Sequence, residues 1–239
     1  MTRFERPFAW LGGAMFVASL AFCAYSFIFP WSAPHAPNAL ASIFDALLFS
    51  VFALQHSLFA RTRVKGWLSR FIPHPMLRSV YVWVASLLLI AVCAAWQPVG
   101  GVVYRHAGSL GIAHALVQLL GVWLIARSAK TIDVLELAGI RHLSPKRREG
   151  GKRDPTDSAE RLQIAGPYRF VRHPIYLGWL LVVFGPALMT GDRLAFAGIT
   201  TAYLLIAIPW EERSLHAEFG DEYDRYTRQV KWRLVPYVY

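Results

Sequence analysis

The chain predicts an all-α fold: a polytopic membrane helical bundle of about six spans, the last two a helical hairpin, followed by an amphipathic C-terminal helix. Three observations carry this. Of 239 residues, 55% are hydrophobic and only 17% charged, where a soluble domain has roughly a quarter charged. The apolar residues come in long runs, and a bilayer core needs about 20 of them per helix. The basic residues alternate between the gaps separating those runs.

Taken in order, residues 8–29, 39–60, 79–97 and 110–126 are apolar runs that meet or approach spanning length. A longer stretch, 174–210, is cut by Thr190-Gly191-Asp192-Arg193 into two lengths of similar size. That makes six spans. The first run is too long for a signal peptide, and no small-residue cleavage site precedes the second, so it is expected to stay in the mature protein. Between them, Phe29-Pro30-Trp31-Ser32-Ala33-Pro34 reads as a short outer loop with an interfacial anchor. Ile72-Pro73-His74-Pro75 stops any helix before the third span.

The long polar segment is 128–172, and its stretch 144–155 is charged and rich in Gly and Pro, a mobile cytoplasmic excursion by composition. In the tail, Leu215, Phe219, Tyr226 and Val230 recur at helical spacing among charges. They predict one or two amphipathic helices over 211–230, broken at Gly220. Trp232, Tyr237 and Tyr239 suit the membrane interface. The chain is thus one membrane domain: four spans in 1–127, a cytoplasmic loop in 128–172, and the hairpin with its tail in 173–239.

A net charge of +10 raises the question of nucleic acid, and its distribution answers no. Of the 25 basic residues, all but Arg105 and Arg193 fall in segments that a six-span count places on one side. The positive-inside rule then predicts an N-in, C-in protein, and the expected membrane is a bacterial inner membrane. Its charged partners are anionic lipid headgroups. Cys23 and Cys93 lie inside spans without metal-type spacing, and read as small buried hydrophobes.

Two clusters could carry chemistry. In Gly166-Pro167-Tyr168-Arg169-Phe170-Val171-Arg172-His173-Pro174-Ile175-Tyr176-Leu177-Gly178, Gly-Pro makes a turn and Pro174 suits the first helical position. His173 then sits at or beside the N-cap, where unpaired N–H groups favour a carboxylate or phosphate. The bland alternative is an ordinary helix start beside a positive-inside stop. The second cluster is Glu211-Glu212 directly after an apolar run. Carboxylates at a membrane boundary are costly unless they face a cavity or a cation. Adjacent helical residues diverge by about 100°, so one of the two is expected to point inward. A solvated start to the tail helix is the plain reading of the same pair. Taken together, a hairpin brings its ends close, so His173 and Tyr176 should reach Glu211. One pocket with an anion-binding helix start and a cation-binding acid fits a zwitterionic amino-acid moiety.

With these residues in view, Arg172-His173-Pro174-Ile175-Tyr176, the hairpin and Glu211-Glu212 resemble the signature of the integral-membrane methyltransferases. That superfamily includes the isoprenylcysteine carboxyl methyltransferases and the phospholipid methyltransferases. Leu215, Phe219-Gly220-Asp221-Glu222-Tyr223, Tyr226 and Val230 continue the likeness, which covers about 160–236. Upstream, Gln55-His56-Ser57, Ala60-Arg61, Arg78-Ser79-Val80-Tyr81-Val82, Trp96-Gln97-Pro98 and Glu136-Leu137-Ala138-Gly139-Ile140-Arg141 look like the methanethiol S-methyltransferase branch. The resemblance implies S-adenosylmethionine as cofactor, lined by Tyr168, His173, Pro174, Tyr176 and Glu211, with Gln163 beside them. Prenylcysteine enzymes carry a substrate-binding Arg about one turn before the acidic pair. This chain has Ala207-Ile208-Pro209 there, which argues against a prenylcysteine carboxylate.

His56 with Ser57 either accepts a substrate proton or makes an interhelical hydrogen bond. Glu136 and Arg141 form a local ion pair or close the cofactor pocket, and Arg61 and Arg78 read as headgroup contacts. His74, His106 and His114 have no partner pattern. The expected reaction is methyl transfer to a small thiol or another lipophilic acceptor. Phospholipid and prenyl-type acceptors, and a haem-binding or transport protein, are the competing readings. No metal is required. The sequence leaves the oligomeric state open.

Overall fold

A computed structural model describes residues 5–60, 62–73, 76–132 and 162–239. In order, the elements are helices α1 (Glu5–Ile28), α2 (Ala39–Ala60), α3 (Thr62–Leu68) and α4 (Leu77–Ala95), then strand β1 (Val102–Arg105) and α5 (Gly108–Ile132). After the gap come α6 (Pro174–Phe184), strand β2 (Leu188–Thr190), α7 (Gly191–Phe219) and α8 (Asp221–Gln229). Helices α1, α2, α4, α5 and α7 are long and apolar enough to cross a membrane. The chain is therefore a mainly helical integral membrane protein. His74, Arg61, Glu136, Arg141 and the stretch 144–155 lie outside the described residues.

The described chain forms two compact units, one up to Val99 and the other from 100–132 and 162–239. In the first, α4 packs on both α1 and α2. Small buried residues make this possible: Gly12, Ser19 and Ser26 on α1, Ser79 and Ser86 on α4. Trp83 fills the space over Gly12 and donates its indole N–H to the Phe8 carbonyl at 3.1 Å. Cys23 and Cys93 are free buried thiols that hydrogen-bond each other. Trp31, expected at the interface, is instead 5% exposed and packs on Trp96 with ring centroids 4.7 Å apart. Asp45 is fully buried in α2 and accepts the Gln97 backbone N–H at 2.9 Å, which anchors the end of α4.

In the second unit α5 and α6 approach closely along glycines. A Cβ built on Gly121 would lie 2.7 Å from the Gly178 carbonyl oxygen, and one on Gly178 would lie 2.8 Å from that of Gly121. Strands β1 and β2 pair antiparallel, Val102 opposite Thr190 and Arg105 opposite Leu188, with an irregularity between Val102 and Tyr104. This ribbon adds a small sheet to the expected all-helical fold. It holds the starts of α5 and α7 at the same end of the unit. Thr190 caps α7 by accepting the Arg193 N–H, and Asp192 accepts from the Gly100 N–H at 3.0 Å.

The predicted division of 174–210 into similar halves is corrected. Helix α6 has 11 residues and α7 has 29. At about 1.5 Å per residue, α6 spans only about half the bilayer core. The reason is local: Gly185-Pro186 stops the helix, since proline supplies no N–H and disfavours helical backbone before it. The tail is also corrected. Helix α7 does not stop near Trp210 but runs through Pro209 to Phe219. It ends at Gly220, whose φ of +50° favours glycine, and α8 begins there as the spacing predicted.

Candidate functional site

The site is built where the chain enters α6. Gly166, at φ +60°, starts the 3-10 turn Gly166–Arg169. The Tyr226 hydroxyl of α8 donates to the Tyr168 carbonyl at 2.8 Å, pinning this turn. The next residues run extended beside the tail: Arg172 N–H donates to the Trp232 carbonyl and His173 N–H to the Arg233 carbonyl, each at 2.9 Å. His173 is the N-cap of α6, and Pro174, fully buried, is its first residue.

This entry aims the His173 imidazole at the acidic pair of α7. Its Nδ1 lies 3.8 Å from Oε2 of Glu211, and its Nε2 lies 3.4 Å from Oε1 of Glu212. The ring is 5% exposed with its residue and stacks on Tyr176, planes 3° apart. One carboxylate of the pair is the buried one, as expected, and it is Glu212, yet both acids lie near the ring. Adjacent residues do diverge around a helix, but an imidazole offers nitrogens on two sides, and the ring sits between the two acids.

Their surroundings differ. Glu212 is buried between two guanidinium groups, with Arg172 Nε 2.9 Å from Oε1 and Arg233 Nε 2.9 Å from Oε2. Such a carboxylate is electrostatically satisfied. The Glu211 side chain is 42% exposed and accepts the Tyr176 hydroxyl at 2.7 Å. A partly open carboxylate beside a helix N-terminus can receive a cation and an anion a few ångströms apart. Among the described residues, no group of three His, Cys, Asp or Glu side chains could hold a metal ion.

Outside the spans, electrostatics follows this arrangement. Burial, then the Glu211 and Tyr226 neighbours, push the Tyr168 phenol well above its ordinary range. Burial, with Glu212 close by, does the same for Tyr223. Both phenols stay protonated. For Arg233, burial works against the charge, but Glu212 and Tyr239 outweigh it and its guanidinium is held above the usual value.

Of the expected site residues, the fold brings His173, Tyr176 and Glu211 into contact. Tyr168 feels the Glu211 charge, Pro174 sets the helix start, and Gln163 lies half-buried in the segment leading to the turn. His56 belongs to the other unit, where it hydrogen-bonds the Tyr81 hydroxyl at 2.8 Å from Nδ1. His106 and His114, without a partner pattern in sequence, hydrogen-bond each other at 2.9 Å, and His114 reaches the Gly185 carbonyl. Sequence reasoning missed Arg233 and the structural share of Glu212. Arg233 carried no local signal beyond one more basic residue in the tail.

Membrane-length helices with a buried imidazole, two acids and a tyrosine at one helix entrance define a polytopic membrane protein with a polar site. Comparison with known proteins says which kind. The phospholipid methyltransferase family matches residues 110–222, from α5 to the start of α8. The methanethiol S-methyltransferase of Crocosphaera subtropica is 37% identical over 199 residues, 83% of this chain and 76% of that protein. Methanethiol S-methyltransferase 2 of Bradyrhizobium diazoefficiens is 38% identical over 200 residues, 83% of this chain and 74% of that protein. A Nurim homolog of Drosophila melanogaster is 25% identical over 178 residues, 72% of this chain and 69% of that protein. No solved structure matches the chain. The chain belongs to this family of integral-membrane methyltransferases, and it is a methyltransferase that takes its methyl group from a donor and passes it to a small or lipid acceptor.

Proposed function

We propose that the donor is S-adenosylmethionine, held by Gln163, Tyr168, His173, Pro174, Tyr176 and Glu211, and that the acceptor is a small thiol of the methanethiol kind. The observation that carries the donor reading is the meeting of Tyr176 and His173 with Glu211 at the start of α6. The residues suit the molecule. An open carboxylate matches a cationic group, and the partial positive charge at the start of α6 matches a carboxylate. When bound, S-adenosylmethionine supplies a methyl group activated by a sulfonium.

The chain's own part is to orient the reactants and exclude water. Arg172, Glu212 and Arg233 fix the His173 ring, and Tyr176 fixes the Glu211 carboxylate. A thiol must lose its proton to become the nucleophile, and His56 is the proton acceptor in this reading. The thiol acceptor is supported by the names of the methanethiol S-methyltransferase relatives and by Ala207-Ile208-Pro209, where a prenylcysteine enzyme has Arg. The basic distribution supports both ends facing the cytoplasm of a bacterial inner membrane.

Calorimetric titration of the detergent-solubilised protein with S-adenosylmethionine tests the donor, and saturable heat is expected. Headspace analysis of cells fed methanethiol tests the acceptor, with dimethyl sulfide expected. The phospholipid methyltransferase match favours one second reading, a lipid amine acceptor. Methylated phosphatidylethanolamine without dimethyl sulfide would select it. No heat with the donor would sink the site.

A further inference from the structure

The segment after α8 contributes more to the site than a membrane anchor. Two separate groups of Arg233 converge on it: the main-chain carbonyl accepts the His173 N–H at 2.9 Å, and the guanidinium Nε lies 2.9 Å from Oε2 of Glu212. Glu212 Oε1 in turn lies 3.4 Å from His173 Nε2. Arg233 is itself braced, since its Nη1 donates to the Tyr239 hydroxyl at 3.1 Å and its guanidinium carbon lies 5.2 Å from that ring's centroid. Tyr239 is held by its carbonyl, which accepts the Leu234 N–H at 2.8 Å. Buried charge pairs of this sort contribute geometry more than net stability. This one fixes a carboxylate oxygen 3.4 Å from Nε2 of a ring that is already buried and stacked on Tyr176.

We propose that Arg233 is a positioning residue of the methyl-donor site, acting through Glu212 and the His173 backbone while touching neither donor nor acceptor. The proposal rests on the donor site assigned above. It divides the acidic pair: Glu212 is bound to the two arginines and orients His173, which leaves Glu211 as the carboxylate open to a cation.

The test uses the full chain in detergent, with S-adenosylmethionine titrated by calorimetry and steady-state rates measured against donor and acceptor separately. Arg233→Ala is expected to raise the donor Kd and donor KM about tenfold, the size of one lost charge-assisted hydrogen bond. The acceptor KM should be unchanged, and Arg233→Lys should recover part of the donor affinity. Wild-type donor affinity in Arg233→Ala overturns the proposal, and so does an equal rise in both KM values, which would mark general loosening. If Arg233→Ala is not recovered folded, Arg233→Lys decides alone, with a donor-only rise in KM expected and wild-type values overturning. Glu211→Gln separates the two levels. Donor binding that survives Glu211→Gln defeats the site assignment itself. Loss in Glu211→Gln with none in the Arg233 variants defeats only the role of Arg233.

Discussion

The hydroxyl of Tyr176 donates to Oε2 of Glu211 across 2.7 Å, joining residues 35 positions apart. The same tyrosine stacks flat against His173. One aromatic side chain therefore orients both the acid and the imidazole at the start of α6, and the site's shape depends on it.

Replacing Tyr176 with Phe keeps the stacking and removes only the hydrogen bond. A bond to a charged acceptor contributes about 1.5–3 kcal/mol, so donor affinity should fall by about tenfold or more with little change in unfolding temperature. Calorimetric titration beside a melting curve checks both halves, and unaltered affinity would count against the assignment.

His173→Ala and Glu211→Gln should abolish measurable donor binding while the protein still inserts and is recovered from membranes. His56→Ala should behave differently: donor binding retained, methyl transfer to a thiol lost. If the rate survives His56→Ala at all pH values, His56 is a structural partner of Tyr81 and nothing more.

The α5–α6 contact tolerates no side chain at its glycines. Gly121→Val and Gly178→Val force backbone apart and should destabilise by at least about 1–3 kcal/mol, the usual range for overpacking, read as a lower melting temperature in detergent. Gly198→Ala in α7 is the control. A Cβ there meets nothing within 4 Å, so stability should hold or rise slightly through helix propensity. Equal losses at all three positions would refute the packing account.

The Tyr226 hydroxyl pins the turn before the site through the Tyr168 carbonyl. Tyr226→Phe should cost about 1 kcal/mol of stability and make backbone amides around Tyr168 exchange faster with deuterium. Unchanged exchange there would show that the turn holds without α8.

Orientation is checked independently of the site. A reporter active only in the cytoplasm should report when fused after Tyr239 and when placed before Arg3. Activity at one position alone would give an odd number of crossings. Helix α6, at 11 residues, is the segment to re-examine in that event.

Much of this protein is legible from residue order. Apolar runs must leave water whatever they pack against, so α1, α2 and α4 lie within three residues of their expected bounds, while α5 runs six residues past its expected end. The pairing of His173 with Glu211 was also foreseeable, because a hairpin returns its chain to where it started. What escaped depends on contacts between distant segments. Strand β2 finds a partner only because β1 lies beside it. Nothing near Arg233 says that its guanidinium reaches Glu212, or that Glu212 and Glu211 divide the site between them. Local sequence dictates where a helix forms and which end carries charge, since propensity and hydration act residue by residue. Which charges meet is decided only by packing: an ion pair needs its partners within a few ångströms, and only the folded chain sets that distance.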